Sequence, residues 1–185
     1  PSGFEGEAAS IWKEEAKQFA DDVSGDIHGN SMAVVNPGGS PRVMLAGHTD
    51  EIGLMVSNIS EDGYLFFNTI GGWDNQVLPG QRVQFGAEGS GVIGVIGRKP
   101  IHLLEEEEKK EVVKIENLWI DIGAESKEEA ERYVEIGTPG VLNYSYQNLL
   151  GDLVVARGFD DKVGGFVVLE AARKISNMKP NAEVV

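Results

Sequence analysis

Residues 43–56 read VMLAGHTDEIGLMV. Val43, Met44, Leu45 and Ala46 make a short apolar run that predicts a buried strand, and Gly47 ends it. His48, Thr49, Asp50 and Glu51 then place one imidazole and two carboxylates within four residues, and a second apolar run, Ile52 to Val56, follows directly. Polar groups wedged between buried strands must be paired, metal-bound or open to a cleft, because unpaired burial is costly. In an extended chain alternate residues share a side, so Asp50 lies beside His48. A carboxylate there can accept one imidazole N–H and leave the other ring nitrogen free for a metal. The plainer alternative is a satisfied strand-end histidine beside solvated acids.

Upstream of this stretch, Phe4, Ala8, Ile11, Trp12, Ala16 and Phe19 recur at three- and four-residue steps and predict a helix whose aromatic residues face a core. Ile27-His28-Gly29-Asn30 reads as a hairpin turn into a strand over Ser31 to Val35, and the Pro- and Gly-rich residues 36–41 form a loop. Downstream, Tyr64 to Asn68, Arg82 to Phe85 and Gly91 to Ile96 are short β-rich pieces separated by Gly turns, the pattern of a small barrel or sandwich. Residues 105–111, EEEEKKE, read as a solvated charged face, and His102 has no assigned role. Leu118 to Ile122 reads as a strand. Ser126-Lys127-Glu128-Glu129 has the form of a capping box opening a helix to about Val134.

A second polar constellation, Asp160-Asp161, follows an apolar strand over Leu153 to Ala156 and precedes an apolar helix over Val163 to Ile175. Sites in open α/β sheets gather at such strand ends. One aspartate can cap the helix while the other binds a metal. Small Gly164 and Gly165 allow close packing of the helix start, and residues 182–185 open a final strand.

Composition narrows the chemistry. With 16 basic and 30 acidic side chains the net charge is −14, which argues against nucleic acid or an anionic membrane surface as partner. There is no cysteine, so any metal relies on His, Asp and Glu, which favours zinc, cobalt or manganese. No apolar run approaches the ~20 residues of a membrane span and no signal peptide is visible, so the expected location is cytoplasmic. Pro1 is not a natural start, and the sequence is expected to be truncated.

GHTDEIGLMV, with PSGFE upstream and GFDDKVG downstream, resembles the glutamyl and deblocking aminopeptidases that build tetrahedral (TET) particles. IGGWDNQVLPGQRV, GVIGRKPIH and IDIGAESKEEAE resemble the same family in the same order. The resemblance implies an α/β chain: part of an α/β/α metallopeptidase catalytic domain (residues 1–56 and 152–185) with an inserted β-rich, PDZ-like dimerisation domain (57–151). It implies that His48 binds one of two divalent ions, zinc or cobalt, that Asp160 bridges both, and that Asp161 is its partner across a cis peptide bond. Asp50 would support His48, and Trp73 with its Gly neighbours would lie at an interface. The implied activity is removal of N-terminal residues from short peptides by two-metal activated water, within a homo-oligomer from dimer to dodecamer. The family's general-base glutamate and remaining ligands are expected beyond residue 185, so this stretch alone is expected to be inactive. The competing readings are a cellulase-type glycoside hydrolase, a related two-metal carboxypeptidase or deacylase, and a non-catalytic assembly or binding module.

Overall fold

In the computed structural model, which describes residues 1–86 and 91–185, two units share the chain: Ser2–Glu51 with Gly158–Val185, and Pro1 with Ile52–Arg157. In chain order the described strands are β1 (Asp22–Gly25), β2 (Ser31–Val34), β3 (Arg42–Val43), β4 (Gly53–Ile59), β5 (Leu65–Ile70), β6 (Arg82–Phe85), β7 (Val92–Arg98), β8 (Leu118–Asp121), β9 (Pro139–Leu142), β10 (Gln147–Asn148), β11 (Val154–Val155) and β12 (Glu183–Val184). The helices are α1 (Gly6–Ala16), α2 (Lys127–Ala130) and α3 (Phe159–Asn177). The architecture is mixed α/β.

The first unit packs α1 against α3 and the β1–β2 hairpin. Ala16, Ala33 and Leu169 form its buried centre, with Trp12, Phe19, Ala20 and Val23 packed around them. Helical spacing explains the shared face of α3: Gly165, Leu169 and Ala172 lie three or four residues apart. Trp12 donates its indole N–H to the Gly165 carbonyl at 3.1 Å, tying α1 to the start of α3. Arg173 lies 4.9 Å from the Phe19 ring centre and pairs with Glu15 and Glu170, each at 3.0 Å.

Two expected buried strands are not buried. Over residues 43–46 only Val43 lies in a strand, β3, which pairs in parallel with β12 alone; Val43 is exposed and Met44 is 75% exposed. Burial of an apolar run needs a layer on its face, and a two-stranded ladder supplies none to Met44. Likewise β11 pairs only with β10 in an exposed antiparallel ladder, so Leu153 to Ala156 is no core strand. The predicted helix over residues 126–134 is regular only in α2. Ser126 Oγ does accept the Glu129 N–H, at 3.3 Å, but the Glu129 carboxylate reaches back to the Glu125 N–H rather than that of Ser126.

In the second unit β4-β5-β8-β7-β6-β9 close into a barrel, all neighbours antiparallel. Period-two alternation fills it: Leu54 and Val56, Leu65 and Phe67, Val83 and Phe85, Leu118 and Ile120 are all buried. A register shift between Val56 and Asn58 turns Ile59 inward in place of polar Asn58. Trp73 packs against this core and donates its indole N–H to the Gly53 carbonyl at 3.0 Å.

Candidate metal centre

The first unit alone brings together the two polar constellations, and it does so through backbone. Gly47 lies against the start of α3 so closely that a Cβ on it would fall 2.8 Å from both Gly164 C and Gly165 N. Only glycine permits that approach, and it sets the next residue, His48, beside the Asp160–Asp161 turn. His48 Nδ1 lies 2.9 Å from Asp50 Oδ1, and the other Asp50 oxygen accepts the Ser2 hydroxyl. The Ser2 hydroxyl is the largest influence on the Asp50 carboxyl and, together with the His48 ring, holds it below its ordinary range against the upward push of burial.

With Nδ1–H donated to Asp50, a neutral His48 ring carries its lone pair on Nε2, and this atom lies 3.5 Å from Asp160 Oδ1. The Asp160 carboxylate is 97% exposed. Asp161 behaves differently: its Oδ1 accepts the Gly164 N–H at 2.9 Å, three residues on, as an N-cap does. Asp160 and Asp161 both have non-helical φ/ψ, and the peptide bond between them is cis. One aspartate of the pair is therefore spent on the helix and the other is free to take a ligand.

The donors fit a divalent ion of borderline character, imidazole nitrogen with carboxylate oxygen. Two atoms each about 2.1 Å from one ion at a tetrahedral angle sit about 3.4 Å apart, close to the 3.5 Å observed. Their number falls short of the usual four: among the described residues no group of three or more His, Asp or Glu side chains could hold a metal. A cleft of about 370 Å³ opens beside His48 and Asp50, with Trp12, Met32, Met44 and Val168 among its walls. Sequence reasoning singles out neither Ser2 nor Lys162, whose Nζ lies 2.7 Å from Glu51 Oε1. The signal for that pair was an unexplained acid in HTDE and an unexplained lysine in DDK.

The sequence profile of M42 glutamyl aminopeptidases matches residues 29–185. The chain belongs to this family. The M42 chain is 36% identical over 172 residues to a lysyl aminopeptidase of Pyrococcus furiosus, covering 91% of this chain and 49% of that one. Among solved structures, a TET aminopeptidase from the marine sediment archaeon Thaumarchaeota archaeon SCGC AB-539-E09 superposes with a TM-score of 0.91 at 41% identity, over 100% of this chain and 52% of the other. The TET1 peptidase of Pyrococcus horikoshii, described as assembling into a tetrahedron or a large octahedral shell, gives a TM-score of 0.86 at 36% identity, over 99% and 55%. The family read from the motifs is therefore the one found. The M42 chain spans about half the length of the relatives it matches.

Proposed function

We propose that this chain serves a metal-dependent aminopeptidase that removes N-terminal residues from short peptides. The observation that carries the reading is the facing of His48 Nε2 and Asp160 Oδ1 at 3.5 Å, while Nδ1 is engaged by Asp50. A divalent cation placed between these two atoms would draw on both as ligands. In this reading His48 and Asp160 would hold the divalent ions, and zinc and cobalt suit the donors. When bound, such ions polarise a scissile carbonyl and acidify water near neutral pH. Asp50 keeps the His48 ring in the tautomer that exposes Nε2. Asp161 holds the turn that presents Asp160. Family membership favours peptide substrates over the glycosides of the cellulase-type reading.

Two donors do not complete a four-ligand shell, so turnover needs groups besides these, and this stretch by itself is expected to be inert. The barrel unit, in this reading, is the PDZ-like dimerisation module of a homo-oligomer. The similarity to TET assemblies supports that role. Among the described residues no helix is long and apolar enough to cross a membrane.

The test uses the full protein and its His48→Ala variant, with metal content and hydrolysis of chromogenic aminoacyl substrates measured before and after chelation. About two metal ions per chain, with chelator-sensitive hydrolysis lost in His48→Ala, is the expected result. Hydrolysis that survives both chelation and His48→Ala refutes the reading.

A further inference from the structure

Two separate stretches deliver the candidate ligands, and both must be held if the ligands are to stay 3.5 Å apart. Residues 47–51 carry no regular strand. Their first residue is fixed by the approach of Gly47 to Gly164 and Gly165. Their last, Glu51, is fixed by Lys162: Nζ to Oε1 is 2.7 Å across 111 residues of sequence. Glu51 is only 9% exposed at its side chain and Lys162 38% exposed, so this ammonium is a close partner of a largely buried carboxylate. Most other ion pairs in the described residues join exposed side chains or neighbours three residues apart.

From this we infer that Glu51 and Lys162 form a positioning latch that sets the spacing of His48 and Asp160. The inference rests on the reading of those two residues as metal ligands. Glu51 stands three residues after His48, and Lys162 two after Asp160, so the ion pair ties the two ligand-bearing segments together in addition to the Gly47 contact. The pair packs over Gly158, where φ is +71° and a Cβ would lie 2.9 Å from Lys162 Nζ and 3.2 Å from Glu51 Oε2. The residue that opens the turn into α3 is thus shaped to admit the latch. Ser2 reinforces it, its N–H donating to the Glu51 carbonyl at 3.1 Å while its hydroxyl holds Asp50. Glu51 also neutralises a lysine that would otherwise set a positive charge beside the site of a divalent ion. Neither residue touches the metal or the reacting atoms in this scheme; both act through the ligands.

The experiment measures Co²⁺ affinity by calorimetry, the cobalt absorption spectrum and the metal-free melting temperature. It compares the full protein with its Lys162→Met, Lys162→Arg, Glu51→Gln and His48→Ala variants. Lys162→Met and Glu51→Gln should each weaken Co²⁺ about 10- to 100-fold and alter the spectrum, as loss of a group that orients a ligand does. Lys162→Arg, which keeps the cation, should restore affinity to within a few-fold. Wild-type affinity and spectrum in a folded Lys162→Met or Glu51→Gln protein, with His48→Ala impaired, overturn the latch alone. Unchanged affinity in His48→Ala overturns the ligand reading and the latch with it. Should Lys162→Met fail to fold, the nearly isosteric Glu51→Gln decides.

Discussion

Replacing Gly47 by alanine tests whether backbone contact builds the site. The new Cβ would lie 2.8 Å from Gly164 C and Gly165 N and 3.0 Å from Gly164 O, whereas ordinary contact begins at 3.4 Å. All three atoms are backbone at the start of α3, so no side-chain rotation relieves the overlap. The segment and the helix must separate by about 0.6 Å, the difference between 3.4 and 2.8 Å. Overpacking of this kind costs about 1–3 kcal/mol. At about 2–4 °C per kcal/mol for a chain of this size, the melting temperature should fall by about 2–12 °C. The spacing of His48 Nε2 and Asp160 Oδ1 should change by a similar 0.6 Å, beyond the ~0.2 Å that metal–ligand distances tolerate. Co²⁺ affinity should therefore fall as well. Gly6→Ala is the matched control in the same unit: it lies in α1, a Cβ there meets nothing within 4 Å, and the change should be neutral or stabilising by up to ~1 kcal/mol. Thermal unfolding without metal and a cobalt titration read both quantities. If Gly47→Ala matches Gly6→Ala in each, the contact does not set the site.

The adjacent aspartates should separate cleanly. Asp160→Ala removes a 97% exposed carboxylate and should leave metal-free stability within about 0.5 kcal/mol while abolishing most metal binding. Asp161→Ala deletes the bond to the Gly164 N–H and should cost about 1 kcal/mol in urea unfolding; equal destabilisation by the two would contradict the division of roles. Asp50 supplies a pH signature. Its folded-state pKa is depressed, first by Ser2 and then by His48, so its stabilisation is present above its ordinary value of 3.8 and is lost as pH falls through the folded value. Ser2→Ala removes the largest cause and should flatten the loss of stability below pH 3.8 relative to wild type. An unchanged acid limb would show that the Ser2 bond contributes nothing.

Much of the barrel was legible because its signals are local. Arg82 to Phe85 reads as the strand it forms, and alternation across Leu118 and Ile120 marks β8. Strand β1, DVSG, escaped notice because it is short, polar and almost wholly exposed, so it carries no alternation. The runs at residues 43–46 and 153–156 misled for the opposite reason. Their residues are apolar, but whether such a run is buried depends on partners that only the tertiary fold supplies, and here each has a single short neighbour.

At the site the same boundary between local and distant holds. His48 and Asp50 are two residues apart, and their 2.9 Å contact lay within reach of sequence reasoning even though no strand forms there. Asp160 is 112 residues from His48, and no spacing rule could join them; only the resemblance of both motifs to one family did. The Ser2–Asp50 and Glu51–Lys162 contacts span 48 and 111 residues and had no such help. Ser2, Gly47, Asp50, Glu51 and Lys162 nevertheless all belong to the unit formed by Ser2–Glu51 and Gly158–Val185. The chain leaves that unit after Glu51 and re-enters it at Gly158, two positions already adjacent, since a Cβ on Gly158 would lie 3.2 Å from Glu51 Oε2. On the latch reading, Gly47, Glu51 and Lys162, all residues of that one unit, set the spacing of His48 and Asp160.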